Sequence, residues 1–408
     1  MTMNKIDKKR QIIILSQYFP PDMSGAGTRA YNYAKCLQNN YDVIVITAHP
    51  HLHKPVPKNL KLKLVNKETL EGIKIIRVWV PSLLHTSALN RITLHMSYII
   101  TSLVPMFQLK PKIIFIFQPN LFSIISGYIY SKIRGGKIIR AVDDLWPEVL
   151  YERGYVKSRI LKKILNKLAE ASYTIPKYNL STTKEVSEFI ERRYHISKEK
   201  LIEIEHGVDL SNYKIIDREP NEDFVVMYSG SLVESYDFDM ILTVAEKLKD
   251  KKIKFIIRGR GILKEYLELE KQRRKLFNIT IDTNFLPLTK IASVLNKADV
   301  FIIPMKNEEG INLNLPTKIL EYQAMGKPII CCSNGATGNF IERTNSGFKI
   351  KCEDTESFLN IILKLKNNPK LCEKLGKNGR EFIEKNISFD KIQKRLKVIV
   401  EEVLKEEK

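Results

Sequence analysis

"DFVVMYSG", residues 223 to 230, begins a second series of short Val/Ile-rich runs in a chain that has already completed one. The first series is "QIIILS" (11 to 16), "DVIVIT" (42 to 47), "IKIIRVWV" (73 to 80), "KIIFIF" (112 to 117) and "KIIRAV" (137 to 142). The second continues through "IKFIIRG", "NITID", "ADVFIIP" and "KPIICCS". Apolar runs without polar alternation, each followed by a helical pattern or a loop, are what parallel strands covered on both faces look like. Two series predict an α/β chain of two Rossmann-like, doubly wound domains. A cleft between them is expected, because open parallel sheets bind ligands beyond the carboxyl ends of their strands. The N-terminal domain is read as 1–205, a hinge linker as 206–222 within "HGVDLSNYKIIDREPNED", and the C-terminal domain as 223–387.

At 408 residues the chain exceeds what one hydrophobic core serves, which agrees with two domains. Lys and Arg number 67 against 46 Asp and Glu, a net charge of +21 that favours anionic partners: nucleic acid, acidic lipid headgroups or phosphorylated small molecules. A Lys-rich solvated surface explains the same excess. Cys36, Cys331, Cys332, Cys352 and Cys372 show no Cys-x-x-Cys spacing, so they signal neither zinc nor a disulfide framework and read as thiols in a reducing compartment. The basic start "MTMNKIDKKRQIIIL" has too short an apolar run for a signal peptide.

Two segments raise the question of a membrane. "ITLHMSYIITSLVPMFQL" (92 to 109) has no charged residue and lies at the lower length limit for a span; Thr93, His95, Ser97, Thr101, Ser102 and Gln108 weaken that reading, and a buried or membrane-facing helix is expected. "VKSRILKKILNKLAE" (156 to 170) gathers Val156, Ile160, Leu161, Ile164, Leu165 and Leu168 on one face and Lys157, Arg159, Lys162, Lys163 and Lys167 around the rest. Such a helix can lie on an anionic bilayer or bury its stripe in the core.

Several strand-to-helix turns carry site chemistry. In "SQYFPPDMSGAGTRAYNYAKCL" Gly25 and Gly27 free the backbone to approach a ligand, and Thr28 or Arg29 opens a helix whose amides suit a phosphate; the glycine fingerprint is partial. "RAVDDLWPEVLYERG" ends a strand in Asp143 and Asp144, where a carboxylate serves either as a base or as a helix cap. "YSGSLVESYDFDMIL" repeats the plan with Gly230 and Ser231, and its Asp237 and Asp239 read as helix caps, with no metal expected. Arg258, Gly259, Arg260 and Gly261 form a further turn suited to a diphosphate or simply exposed. In "INLNLPTKILEYQAMGKPII" Pro316 is placed as a first helical residue, and Thr317 and Lys318 stand at the positive helix end. Glu321, one turn on, can accept hydroxyl hydrogen bonds from a ribose.

In order along nearly the whole chain, "YFPPDMSGAGTRAY", "DDLWPE", "IEHGVDLSNY", "YSGSL", "RGRG", "ADVFIIP", "LPTKILEYQAMGKPII" and "NPKLCEKLGKNGREFIEKNISFDKI" resemble family 4 retaining glycosyltransferases of the GT-B fold. The likeness is greatest to the branch that builds surface polysaccharides, N-acetylfucosamine transferases included. The resemblance implies an acceptor-binding first domain, a nucleotide-sugar-binding second domain and a final helix, 388–408, crossing back to the first. It implies that the Gly25–Gly27 loop and the Gly230 loop approach the donor, that Pro316 to Lys318 cradle its diphosphate, that Glu321 binds ribose, and that backbone near Phe285 and Leu286 meets the base. Asp144, ahead of Asp143, faces the acceptor.

The departures carry information too. Leu313 stands where relatives place the first of two glutamates, Ser231 and Tyr236 where an Arg and a Lys clamp phosphate, and His206 where Asn is common. The lost hydroxyl grip points to a deoxy or acylamino sugar with Asn312 or Asn314 as substitute contacts, and phosphate charge falls to Lys318 and to Arg258 or Arg260. The expected reaction is metal-independent sugar transfer from a nucleotide diphosphate sugar, UDP-linked by preference, to a lipid-linked glycan. It is placed in the cytoplasm at the anionic inner face of the cell membrane, with no nucleic acid involved. The rival readings are a nicotinamide-dependent dehydrogenase, a sugar-nucleotide epimerase of the same fold, and a nucleotide or nucleic-acid binding protein.

Overall fold

The computed structural model describes residues 10–22, 25–51, 63–83, 88–117, 122, 124–152, 154–216, 223–284, 286 and 288–405. The chain divides into two units, one of Met1–Gly207 with Phe389–Lys408 and one of Val208–Ser388. The first unit contains strands β1 (Gln11–Ser16), β2 (Asp42–Ala48), β3 (Val65–Leu70), β4 (Ile73–Val78), β5 (Ile113–Phe117), β6 (Lys137–Val142), β7 (Tyr178–Ser181) and β8 (Leu201–Glu203). Its helices are α1 (Gly25–Leu37), α2 (Ala88–Leu109), α3 (Ile124–Arg134), α4 (Glu148–Glu152), α5 (Arg159–Thr174) and α6 (Lys184–Tyr194). The second unit contains β9 (Phe224–Ser229), β10 (Ile253–Arg258), β11 (Ile279–Asp282), β12 (Val300–Pro304), β13 (Ile329–Cys332) and β14 (Gly347–Ile350). With them go α7 (Phe238–Lys247), α8 (Lys264–Arg273), α9 (Leu288–Leu295), α10 (Glu309–Leu313), α11 (Thr317–Ala324), α12 (Ala336–Thr344), α13 (Thr355–Lys366) and α14 (Pro369–Phe382). The last helix, α15 (Phe389–Lys405), rejoins the first unit.

The first sheet has the order β3-β4-β2-β1-β5-β6-β7-β8 and the second β11-β10-β9-β12-β13-β14. Strands pair in parallel except β3 with β4. β3 reads "VNKETL" and is largely exposed, which is what an edge strand tolerates, and it turns into β4 through Glu71 and Gly72, both at positive φ. In both sheets the chain order reverses at a central pair, β1 beside β5 and β9 beside β12. A doubly wound sheet opens a ligand crevice at such a point, beyond the strand carboxyl ends.

Successive residues of a strand point to opposite faces, so the Ile-rich runs fill two layers at once. In the first unit Ile12, Ile14, Phe115 and Ile139 pack with Tyr33 of α1 and with Ile392, Leu396 and Val400 of α15. On the other face Ile13, Leu15, Ile114 and Ile138 pack with Leu94 and Tyr98 of α2 and Tyr130 of α3. Arg140, two residues beyond Ile138 and so on that same face, donates to the Ser172 hydroxyl of α5 (2.7 Å) and lies 4.0 Å over the Tyr173 ring. Thus α2, α3 and α5 share one face of the sheet. The apolar stripe expected of residues 156–170 is divided: Leu165 is buried, whereas Ile160, Leu161 and Ile164 are exposed.

Arg29 stands apart from its expected place at a phosphate. It is fully buried and reaches across the carboxyl ends of three strands, donating to the carbonyls of Val142 (3.1 Å), Leu180 (3.2 Å) and Ile204 (2.7 Å), to the Tyr33 hydroxyl (3.1 Å) and to Asp143 (3.0 Å). The helix bearing it thereby fixes β6, β7 and the segment after β8. Arg29→Met is expected to destabilise the protein by about 3–5 kcal/mol, since it leaves Asp143 charged and buried, and Asp143→Asn in the same chain to recover part of that loss. Urea denaturation of the two variants against the parent checks both steps.

Candidate functional site

The second unit brings its candidate residues together at the β9–β12 switch point. β9 ends in "YSG", and the loop beyond it runs alongside the "RGRG" loop after β10: Gly230 N–H donates to Arg258 C=O (2.9 Å) and Leu232 N–H to Arg260 C=O (2.8 Å). A side chain at Gly259, whose φ is +149°, would put its Cβ 1.7 Å from the Gly230 carbonyl oxygen. These glycines are therefore demanded by two backbones in contact. Arg258 is buried and engaged with the Asn284 carbonyl (3.0 Å) and Asp282 (3.3 Å), and Arg260 donates to Thr283 C=O (3.0 Å). Both arginines hold the turn after β11. Phe285 lies outside the described residues.

Lys318 is brought directly beneath Gly230. Its ammonium donates to the Tyr228 hydroxyl (2.6 Å), lies 3.8 Å over the Tyr236 ring and 4.3 Å over that of Tyr228, and would sit 2.4 Å from a Cβ at position 230. Two motifs far apart in sequence, "YSGS" and "LPTK", thus make one structure. Pro316 precedes α11 with extended backbone and Thr317 opens the helix, whose first amides have no acceptor within it. Tyr322, next to Glu321, receives the Ser229 N–H (2.7 Å) and donates back to the Ser229 carbonyl (2.8 Å), locking α11 to β9. The Asn314 carbonyl accepts from Thr337 (2.7 Å), and the Asn312 side chain donates to Asn307 (2.9 Å) while its own Oδ1 is buried without a donor. Ser231 offers its carbonyl to Tyr228 (2.6 Å). Asp237 caps α7 through the Met240 N–H (3.1 Å), as the sequence indicates.

Burial draws the Lys318 ammonium down from its ordinary 10.5 to about 7, with the nearby Glu321 carboxylate pulling the other way. Burial likewise raises Glu321, opposed by Lys318 and by the Tyr213 hydroxyl that donates to it. The sequence reading missed the tyrosines at 213, 228 and 322, and met Tyr236 only as a departure from a phosphate-clamping Lys. For Tyr228 and Tyr322 the signal is positional: the first stands near the end of β9 and the second beside Glu321.

In the first unit Asp143 and Asp144 follow β6, and the structure separates them. Asp143 is the counterion of Arg29, with the buried His206 imidazole 3.8 Å away. Burial pushes His206 down to about 4, leaving the ring neutral. Asp144 is exposed. Glu148 accepts from the Tyr194 hydroxyl (2.5 Å) and supports the fold. Gly27 packs on its own loop, a Cβ there lying 3.1 Å from Tyr18 C=O, whereas a Cβ at Gly25 would meet open space. A polar relay that the sequence did not announce lies just beyond β1: His95 Nδ1–H donates to Gln17 Oε1 (2.6 Å), the Gln17 amide donates to His51 Nε2 (3.3 Å), and His51 Nδ1–H donates to the His49 carbonyl (2.7 Å).

Residues 211–382 match the family model described as Glycosyl transferases group 1. The chain is 22% identical over 413 residues to a putative colanic acid biosynthesis glycosyl transferase, WcaI, of Escherichia coli strain K12, with 94% of this chain and 97% of that protein covered. Among solved structures it resembles the sucrose-phosphate synthase of Thermosynechococcus elongatus, with a TM-score of 0.80 at 14% identity over 97% of this chain and 99% of the other. It also resembles Anabaena HepE in complex with UDP-glucose, with a TM-score of 0.71 at 13% identity over 96% and 99%. These likenesses identify the fold as GT-B.

For a diphosphate bound beside Lys318, the lowered pKa sets the direction of a pH dependence. In the free protein it loses its proton around pH 7, and a bound diphosphate raises its pKa, so affinity is full below about 7 and weakens above it by up to about tenfold per pH unit. Titration calorimetry with UDP above neutrality, in buffers of different ionisation enthalpy, should register proton uptake approaching one per site, and Lys318→Met should abolish both the uptake and the slope.

Proposed function

We propose that this chain, a GT-B glycosyltransferase whose second unit carries a glycosyl transferases group 1 domain, moves a sugar from a UDP-linked donor to a lipid-linked or polysaccharide acceptor in surface glycan synthesis. The observation that carries this reading is the buried Lys318 ammonium under Gly230 at the head of α11, at the crevice between β9 and β12. A diphosphate placed there meets Lys318 and the first amides of α11, and Glu321 one turn along accepts from the ribose hydroxyls.

As the bond from the anomeric carbon to the diphosphate breaks, negative charge grows on the departing oxygen. Lys318 and the α11 amides are fixed in place to receive it, which lowers the barrier without reorganisation and without calling on a metal. Asp144, the accessible member of its pair, orients the acceptor hydroxyl, and the departing phosphate oxygen takes its proton. Attack on the face the leaving group vacates retains the anomeric configuration. At the sugar end Leu313 supplies no hydroxyl acceptor, whereas the buried Asn312 Oδ1 lacks a donor and fits the N–H of an acylamino group or a hydroxyl. That supports a deoxy or acylamino hexose. A lipid-linked acceptor puts the protein at the inner face of the cell membrane.

A thermal-shift screen against UDP-, GDP-, dTDP- and ADP-sugars in EDTA tests the donor site, with stabilisation expected from UDP-sugars and lost in Lys318→Met. Absence of any shift in a folded sample refutes the donor assignment. With donor and acceptor identified, Asp144→Asn should lower kcat by about a hundredfold or more while leaving the UDP shift intact. An unchanged rate would remove Asp144 from the acceptor side.

A further inference from the structure

Among the described residues of Val208–Ser388, exposed large apolar side chains occur in two places. One is the pair Ile215 and Ile216. The other is the stretch 262–277, which holds Ile262, Tyr266, Leu269 and Phe277, the last 92% exposed. That stretch contains α8 and the turn into β11, the edge strand of the second sheet.

Ile262, Tyr266, Leu269 and Arg273 recur at helical spacing, so they form one stripe along α8. Leu267 falls on the opposite side and is fully buried in the core. The stripe therefore faces solvent. Leu269 is 65% exposed, and the Tyr266 ring is held at the surface by its hydroxyl, which donates to Asp239 (2.5 Å).

Charge divides the same helix. In "KEYLELEKQRRKLF", residues 264 to 277, Glu265, Glu268 and Glu270 precede Lys271, Arg273, Arg274 and Lys275. This order suits the helix dipole. It also makes the exposed face complementary to itself read backwards. About a two-fold axis at Leu269, Glu265 comes opposite Arg273 of a second copy, Tyr266 opposite Gln272, and Ile262 opposite the end of the helix where Phe277 stands. The Arg273 side chain is 66% exposed and gives Nε and Nη2 to Glu270 (2.8 and 2.6 Å), which leaves Nη1 for a further carboxylate.

We propose that α8 pairs antiparallel with α8 of a second copy of this chain, Leu269 against Leu269 at the centre and two reciprocal Glu265–Arg273 pairs beside it. A closed two-fold contact is self-complementary in this way, and charges flanking an apolar seam set the orientation of paired helices. An anionic bilayer is a poorer occupant, because exposed Glu265 and half-buried Glu268 border the stripe. One helix face buries less than the roughly 1,200 to 2,000 Å² of a stable complex, so dissociation in about the micromolar range is expected. The inference goes beyond the sugar-transfer reading and does not depend on it.

Sedimentation velocity of the full chain across that concentration range should show a monomer–dimer equilibrium. Glu265→Arg and, separately, Arg273→Glu set like charges against each other at both reciprocal pairs, and each should weaken dimerisation by about tenfold or more. Mixed in equal amounts, the two variants bring opposite charges together again at both pairs, and a heterodimer of near-parental strength should form. Leu269→Arg should weaken the dimer likewise, with no rescue on mixing with either. A parent that stays monomeric, single variants that dimerise like the parent, or a mixture that stays monomeric would each overturn the proposal. So would vesicle binding by a monomeric parent that Leu269→Arg abolishes, which would give the face to lipid. All three positions are exposed, and unchanged circular dichroism separates loss of the dimer from loss of the fold. Absence of a UDP-induced thermal shift in the parent would count against the donor site and leave the sedimentation result standing.

Discussion

Because a guanidinium does not give up its proton inside a protein, the fully buried Arg29 obliges everything around it to supply acceptors. Three strand-end carbonyls, the Tyr33 hydroxyl and the Asp143 carboxylate answer that demand, and in doing so they align β6, β7 and the segment after β8 with the start of α1. The same constraint divides the labour of the two aspartates. Asp143 is held inward as a counterion, and Asp144 is turned out to solvent just beyond the end of β6. Folding and site geometry in the first unit thus share one cause.

The second unit also buries a cation and satisfies it differently. Lys318 is surrounded by aromatic faces and a phenol hydroxyl, with the absent side chain of Gly230 as the space it occupies. An ammonium in that setting can shed its proton, as a guanidinium cannot. The first unit therefore keeps a permanent charge for architecture, while the second keeps one that is given up near neutral pH.

The long parallel strands were legible in the sequence because burial on both faces writes an unbroken Ile/Val run, as in "QIIILS" and "ADVFIIP". β7, β8 and β14 were not. β7 reads "YNLS", its buried Asn179 amide donating to the Tyr173 carbonyl and its buried Ser181 hydroxyl paired with that of Ser187, and the other two are short and half-exposed. The glycine and Lys318 motifs marked the candidate residues; that Gly230 makes room for Lys318, and Gly259 for the Gly230 carbonyl, is a fact of contact between loops that spacing cannot express. What the arginines after β10 hold was illegible for the same reason, since nothing local shows that they engage the β11 turn. For residues 156–170 the periodicity was correct and the direction undetermined: an apolar stripe too wide for the core leaves part of itself outside.

The return of α15 to α1 gives the molecule an order of assembly. Val208–Ser388 is one continuous stretch, able to close its core as soon as it has emerged during synthesis. The first unit, though begun earlier, waits for Ile392, Leu396, Ile399, Val400 and Val403, which follow the whole second unit in the chain, before the α1 side of its sheet is covered. The part translated first is thus completed last, and a ribosome that stops early releases a finished second unit attached to a first whose core lies open to water.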